Sequence, residues 1–174
     1  MENTPSHANP VLRTALLWGT AAGLLCISWV LFLHFTHNNA YGLKRTLSDF
    51  FTPVAAIGGQ IILRRFYPQG PGLGKAVGVG LLTTLLTALI AATGLYVYAQ
   101  LADPSLMHQH LAEARQLLEN ARRIYLENPN GRQQFEATLQ GLAHTPAGFA
   151  QDEFLKKLLW GVFLSIPGGI FLRK

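Results

Sequence analysis

Residues 78–100 read GVGLLTTLLTALIAATGLYVYAQ, and this stretch decides the fold. It lies within an apolar run over residues 76–101 that contains no charged side chain. A helix needs about 20 apolar residues to cross the ~30 Å hydrocarbon core of a bilayer, because each residue rises about 1.5 Å. The run therefore predicts a membrane-spanning helix.

Three further apolar runs accompany the first, at about residues 11–35, 47–63 and 153–172. The fold class predicted from them is all-α: an integral membrane bundle of four helices. The second run is the shortest, and it carries Asp49, Pro53 and Gln60. In the first turn of a helix a proline costs little, so Pro53 is compatible with a span.

Composition agrees with lipid as the solvent. The chain has 174 residues, of which 49% are hydrophobic and 13% charged, whereas soluble domains carry about 25% charged residues. This length fits a flexible polar tail over residues 1–10 and a single membrane domain over residues 11–174. The net charge is +5, and the basic residues mostly flank apolar runs. We therefore expect the lipid bilayer, and no nucleic acid, as the partner of the basic groups.

Residues 105–142 interrupt the apolar pattern between helices three and four. Apolar side chains recur there at alternating spacings of four and three, which predicts an amphipathic helix. A turn signal at residues 128–131 and a shorter helical pattern up to Leu142 complete a helical hairpin outside the bilayer core. Three interpretations of this stripe are open: it packs on the second helix of the hairpin, it lies on the membrane surface, or it pairs with another chain. Packing within the chain is favoured. The stripe consists of Met107, Leu111, Ala114, Leu118, Ala121 and Tyr125.

Small residues at helical spacing predict close helix packing. Ala15, Gly19 and Gly23 recur every four residues in the first helix, and Ala55 and Gly59 do so in the second. In lipid such stripes let helix backbones approach each other. The glycines over residues 72–80 have the same interpretation, since no strand precedes them and no phosphate-loop pattern is present.

The histidines invite a metal or proton-relay hypothesis. His34 and His37 are three residues apart and would share a helix face, while His108 and His110 begin the hairpin. Carboxylates are not placed near them at a ligand spacing, so we interpret them as interfacial residues solvated by headgroups and water. The single cysteine, Cys26, excludes an internal disulfide and is expected to be a small packing residue.

Two polar residues fall inside the second apolar run. Asp49 is close to the helix start, where the helix dipole stabilises a carboxylate. Gln60 is expected to form a hydrogen bond to a neighbouring helix. Asp152 and Glu153 are expected to favour the start of the last helix, where Lys156 and Lys157 must extend to the headgroups. Nucleophile motifs, zinc motifs and paired intramembrane carboxylates are not recognisable in the sequence. We therefore predict no enzyme activity and no catalytic, cofactor-binding or metal-binding residues.

The whole layout resembles a known family. Two apolar helices and a short basic turn precede a third helix that begins GKAVG at residues 74–78. A Glu/Arg/Gln-rich insertion follows, and the last helix ends PGGIFLRK at residues 167–174. This is similar to domain of unknown function family 4199, small bacterial membrane proteins found mainly in Bacteroidota, over about residues 10–174. The resemblance implies the bacterial inner membrane and supplies neither an activity nor a functional residue.

The expected function is that of a non-enzymatic integral membrane protein whose hairpin contacts a partner or the membrane surface. The partner would be a membrane or envelope protein bound through residues 105–142. The alternative is a small transporter or channel subunit, which needs a homo-oligomer because four helices leave little room for a pore. Four spans put both termini on one side, and we expect that side to be the cytoplasm, although a raw count of basic residues does not favour it, with six on that side against eight on the other.

Overall fold

The computed structural model describes residues 9–174, and this part of the chain is helical, without strands. A 3₁₀ helix (Leu43–Phe50) runs directly into the second α-helix and extends it at its N-terminal end. The α-helices in chain order are α1 (Pro10–Phe35), α2 (Phe51–Arg64), α3 (Gly72–Leu101), α4 (Pro104–Leu126), α5 (Gly131–Gln140) and α6 (Pro146–Phe171).

Four helical segments are long and apolar enough to cross a membrane, which confirms the predicted number of spans. They are Pro10–Phe35, Leu43–Arg64, Leu73–Leu101 and Pro146–Phe171. The apolar side chains of Leu17 and Phe163 are more than half exposed on their outer faces. Such exposure would be costly in water and suits a hydrocarbon solvent.

The observed ends of the helices differ from the predicted ones. Of the polar tail predicted over residues 1–10, residues 1–8 lie outside the described part, and Asn9 and Pro10 already belong to the start of α1. Asn9 Oδ1 accepts a hydrogen bond from the Val11 N–H at 3.0 Å, which caps the helix. Side-chain capping thus moves the helix start into the polar segment.

The last helix begins at Pro146, and the predicted start near Glu153 is wrong. Thr145 caps the helix, because its Oγ1 accepts from the Gly148 N–H at 3.0 Å, and Pro146 occupies the first turn. Asp152 and Glu153 consequently lie well inside α6. The predicted start of the third helix is also too late, since α3 begins at Gly72 and its glycines lie within the helix.

The core of the bundle is the contact of α3 with its neighbours. Helices α1 and α6 each pack against both α2 and α3. A Cβ atom on Gly19 would lie 2.7 Å from Leu86 Cβ, and one on Gly23 would lie 2.6 Å from Ile90 Cβ. Both distances are too short for carbon atoms, so the predicted small-residue stripe of α1 is confirmed as the surface that lets α3 approach.

The two ends of the bundle have separate apolar clusters. At the α4–α5 end, Leu33, Tyr41, Leu95 and Phe149 pack together. At the opposite end, which the turn over residues 65–71 closes, Ala15, Leu63 and Val79 are fully buried. We call this second end the turn end.

The segment made of α4 and α5, here the α4–α5 segment, folds back on itself at residues 127–130. The rings of Tyr125 and Phe135 meet edge to face at 5.8 Å, and the Arg122 guanidinium lies 5.7 Å from the Phe135 ring. A Cβ atom on Gly131 would collide with the Tyr125 carbonyl oxygen, so the turn requires glycine there. Packing of the stripe within the chain is therefore present, although α4 contains no fully buried residue.

Candidate functional site

A buried ion-pair network joins the 3₁₀ helix to α6. Lys157 Nζ lies 3.0 Å from Glu153 Oε1 and 3.3 Å from Asp49 Oδ1. The same nitrogen donates to the carbonyl oxygen and to the hydroxyl of Ser48, both at 3.0 Å. The Lys157 side chain is 0% exposed. Four oxygen atoms therefore surround a single ammonium group inside the bundle.

The network continues from Glu153 to the surface through Arg45. Arg45 Nη1 lies 2.9 Å from Glu153 Oε2, and Arg45 Nη2 donates to Asp152 Oδ2 at 3.4 Å. The outermost link is Lys156 Nζ, which donates to Asp152 Oδ2 at 2.7 Å. Arg45 and Glu153 are buried, whereas Asp152 and Lys156 are partly exposed. The six groups carry three positive and three negative charges, so the network is formally neutral.

Helical spacing explains why these side chains meet. Glu153 and Lys157 are four residues apart in α6 and share one face. Arg45 and Ser48 are three residues apart in the 3₁₀ helix, where that spacing aligns side chains. Contact between α6 and the 3₁₀ helix brings the two faces together. Each buried charge then has an opposite partner, which a low-dielectric interior requires.

A cavity of about 680 Å³ opens onto the outer part of the network. Its lining includes Arg45, Asp152 and Lys156 of the network. Tyr41 and three residues of α4, His110, Leu111 and Leu117, also line it. Burial raises the pKa of Tyr41 to about 12. Burial, and then the positive charge of Arg45, lower the pKa of His110. Tyr41 and His110 are therefore uncharged near neutral pH, and the ion-pair network provides the charge in this cavity.

The predicted interhelical hydrogen bond of Gln60 is confirmed. Gln60 Nε2 donates to the Ser165 carbonyl oxygen at 2.7 Å, and the Ser165 hydroxyl lies 3.4 Å from Thr84 Oγ1. Gln60 is 0% exposed and lies between two glycines, Gly80 of α3 and Gly168 of α6. A polar contact of α2, α3 and α6 thus lies nearer the turn end of the bundle than the ion-pair network does.

Two predictions about the charged residues are wrong. Lys157 does not extend to the headgroups, because its ammonium group is bound inside the bundle. Paired carboxylates are present within the spans, since Asp49 and Glu153 contact the same nitrogen. Sequence analysis missed the pair because its members belong to different spans. The signal in the sequence is the four-residue spacing of Glu153 and Lys157. The predicted helix start near Glu153 puts both residues at the helix end, whereas α6 begins at Pro146.

The histidines do not form the predicted arrangement. His34 Nδ1 lies 3.0 Å from the Tyr98 hydroxyl, whereas His37 lies beyond the end of α1 with a φ of 55°, so the two do not share a helix face. His110 lies 3.4 Å from Asn39 Nδ2, and His108 is exposed. Within residues 9–174, no group of three or more His, Cys, Asp and Glu side chains is arranged to hold a metal ion. Cys26 is buried, with Sγ 3.8 Å from the Ser48 carbonyl oxygen.

Comparison with known proteins gives a match to a family model. The family model described as "Protein of unknown function (DUF4199)" matches residues 17–174. No curated protein matches the chain. No solved structure matches it either.

Proposed function

We propose a binding function for this chain, which belongs to the DUF4199 family of proteins of unknown function. It is a non-enzymatic multi-pass protein whose α4–α5 segment binds a protein partner. We place it in the bacterial inner membrane, with both termini in the cytoplasm and the α4–α5 segment on the outer side.

The observation that carries this proposal is the exposed apolar face of α4. Leu117 is 70% exposed and Ile124 is 67% exposed, and their spacing of seven residues puts them on one side of the helix. Helix α4 lies outside the four candidate spans. Apolar side chains that are exposed outside a lipid environment favour contact with another molecule.

The charges of the α4–α5 segment favour a protein over the membrane surface as that molecule. Three of its arginines have acidic neighbours on the same helix: Arg122–Glu119 at 2.8 Å, Arg132–Glu136 at 3.2 Å and Arg123–Glu127 at 3.9 Å. Anionic headgroups attract unpaired clusters of basic residues, at about 1 kcal/mol per residue. Basic groups that are already paired in the chain contribute little to such attraction.

Site-specific photo-crosslinking in intact cells tests the proposal. A photoreactive residue at position 117 or 124 should give a protein adduct of one mass, and the variant Leu117→Glu should lose the adduct formed from position 124. Arg115 is the matched control, because it lies on the opposite face of the same helix turn. Adducts with lipid alone, or equal adducts at position 115, would contradict a protein partner on this face.

A second candidate function is that of a transporter or channel subunit. Ionisable groups inside membrane spans commonly mark ion or substrate pathways, and the Lys157–Glu153–Asp49 contacts lie within such spans. A solute pore needs several copies of the chain, since four helices enclose little space. Mass measurement in native lipid nanodiscs tests for such a pore, and strictly monomeric protein would count against a solute pore made of several copies.

A further inference from the structure

Buried polar side chains extend from the ion-pair network toward the turn end. Along α6, Lys157, Gly161 and Ser165 are all buried and are spaced one helical turn apart. Thr84 of α3 approaches Gly161 closely and contacts the Ser165 hydroxyl, and Gln60 contacts the Ser165 carbonyl. We call this set the polar seam. Its members are Ser48, Asp49, Thr52, Gln60, Thr83, Thr84, Glu153, Lys157 and Ser165.

Three atoms of the polar seam are buried without a hydrogen-bond partner. They are Thr52 Oγ1, Gln60 Oε1 and Thr83 Oγ1, and each of these residues is 0% exposed. Unpaired buried polar atoms are rare in native proteins, because each one costs free energy. Internal water commonly satisfies such groups. The unpaired oxygens are therefore free to accept hydrogen bonds from water or from a migrating proton.

The polar seam is open at one end and closed at the other. At the α4–α5 end, Arg45 and Asp152 connect it to the 680 Å³ cavity. At the turn end, Gln60 lies one helical turn before Arg64, where α2 ends. Leu63 and Val79, both 0% exposed, lie in the apolar cluster of that end. Less than two turns of apolar packing thus separate Gln60 from the surface.

We propose that the polar seam is a proton pathway across the bundle, with Leu63 and Val79 as an apolar gate at the turn end. This rests on the second candidate function and names the ion. A proton fits better than a hydrated metal ion, because the seam is closely packed: a Cβ atom on Gly80 would lie 2.6 Å from Gln60 Nε2. Since a proton needs no pore, one chain is sufficient.

The proton transfer is balanced within the network. A proton from water in the cavity reaches the Glu153 carboxylate past Arg45 and Asp152, which line the cavity. The Lys157 ammonium gives a proton to the Asp49 carboxylate, and Glu153 then reprotonates Lys157. One proton has moved inward when Asp49 releases it to the hydroxyl line, and every group has regained its charge. The other titratable groups that face this site are Cys26 of α1 and Arg45 of the 3₁₀ helix, with Asp152 of α6 next to Arg45.

Proton flux into liposomes that contain the purified full-length protein tests the pathway. An entrapped pH dye reports the flux, and a potassium gradient with valinomycin drives it. The variant Leu63→Ser places a hydroxyl in the gate and should raise the flux about tenfold over the wild type, since apolar constrictions close such paths. Retention of an entrapped sulfonated dye excludes a general leak.

Two threonines of α3 provide a matched pair in the Leu63→Ser background. Thr84→Val removes a hydroxyl from the polar seam and should lower the flux about tenfold, as should Glu153→Gln. Thr87→Val should leave the flux unchanged, because the Thr87 hydroxyl is equally buried and bonds to the backbone at Thr83 and Gly19. Gel filtration and helical circular dichroism confirm folding of each variant.

The pathway is wrong if folded wild-type and Leu63→Ser proteins both leave the flux at that of empty liposomes. It is also wrong if Thr84→Val and Thr87→Val change the flux equally. Neither result bears on the crosslinking at position 117 or on the mass in nanodiscs. Failure of the proton pathway is therefore distinguishable from failure of either proposed function.

Discussion

At the scale of single residues, Lys157 shows how a charge is held inside a membrane bundle. Its ammonium group has oxygen partners on both sides: Asp49 and Ser48 from the 3₁₀ helix, and Glu153 from its own helix. Removing one partner of a buried ion pair leaves the remaining charges uncompensated, which costs more than the pair itself contributes. The lysine is consequently important for stability whether or not protons move through it.

Substitution of Lys157 should therefore be much more costly than substitution of its neighbour. Lys157→Met leaves two carboxylates facing an apolar side chain, and we expect a loss of about 3–5 kcal/mol in the free energy of unfolding. Lys156→Met removes a partly exposed ion pair and should cost about 0–1 kcal/mol. Denaturant unfolding of both variants in the same detergent measures the difference. Equal losses would show that the network does not stabilise the bundle.

At the scale of helices, α3 depends on glycine at some positions and only tolerates it at others. A Cβ atom on Gly80 would lie 2.6 Å from Gln60 Nε2 and 2.9 Å from Ser165 Cβ. Gly78 is two residues earlier and points to the opposite side of the helix, and a Cβ atom there would meet no atom within 4 Å. The same substitution in the same helix should therefore have opposite effects.

We expect Gly80→Ala to destabilise the protein by about 1–3 kcal/mol, because the methyl group forces α2 and α6 away from α3. Gly78→Ala should be neutral or stabilising by up to about 1 kcal/mol, because alanine restricts the unfolded chain and fills open space. Thermal unfolding of the two variants checks the prediction. A loss of stability in Gly78→Ala as large as that in Gly80→Ala would mean that helix packing is not the cause.

Contact of α4 with the bundle should depend on pH through His110. Its pKa is lowered from the ordinary value of 6.5, by burial first and then by Arg45, while Glu113 acts in the opposite direction. A histidine with a lowered pKa binds fewer protons in the packed state than when released. The stabilising effect of the neutral ring is therefore complete above pH 6.5 and is lost as the pH falls through the lowered pKa.

After correction for the intrinsic pH dependence of amide exchange, the protection of residues 104–126 should accordingly fall in mild acid and recover at neutral pH. His110→Phe should abolish the dependence, because the phenyl ring keeps the packing against Phe149 and carries no titratable group. His108→Phe is the control, since His108 is exposed and should leave the pH profile unchanged. A pH profile that survives His110→Phe would assign the effect to another group.

At the scale of the whole molecule, the bundle has two different ends. The α4–α5 end carries the ion-pair network and the cavity above it, whereas the turn end is closed by apolar residues and by the C-terminus, where Gly72 N donates to the Arg173 carbonyl oxygen at 3.1 Å. Which end faces the cytoplasm decides which proteins and which pH the network meets.

Cysteine accessibility in intact cells determines the orientation. Cys26 is 1% exposed, and Cys26→Ala provides a background without a native thiol. In that background, an impermeant maleimide should label Gln134→Cys in α5 and should not label Gln69→Cys in the turn. Labelling of position 69 alone would reverse the orientation. Labelling of both positions in intact cells would contradict four spans.

The sequence by itself determined the parts of this protein that depend on short separations. Apolar run length identified the four spans, spacing of small residues identified the α1 surface that meets α3, and the resemblance identified the family. These signals are local, because helix formation and one-sided burial involve residues within a few turns. Even the start of α6 depends on a local signal, because the cap at Thr145 outweighs the charges of Asp152 and Glu153.

Only the tertiary structure decided which polar groups meet. Asp49 and Lys157 are 108 residues apart in the chain, and Gln60 and Ser165 are 105 apart. No periodicity within one helix encodes such a contact, since it depends on which faces α2, α3 and α6 turn toward one another. The buried ion-pair network and the polar seam are therefore properties of the assembled bundle, because a charge enters a membrane core only where the fold supplies its partner.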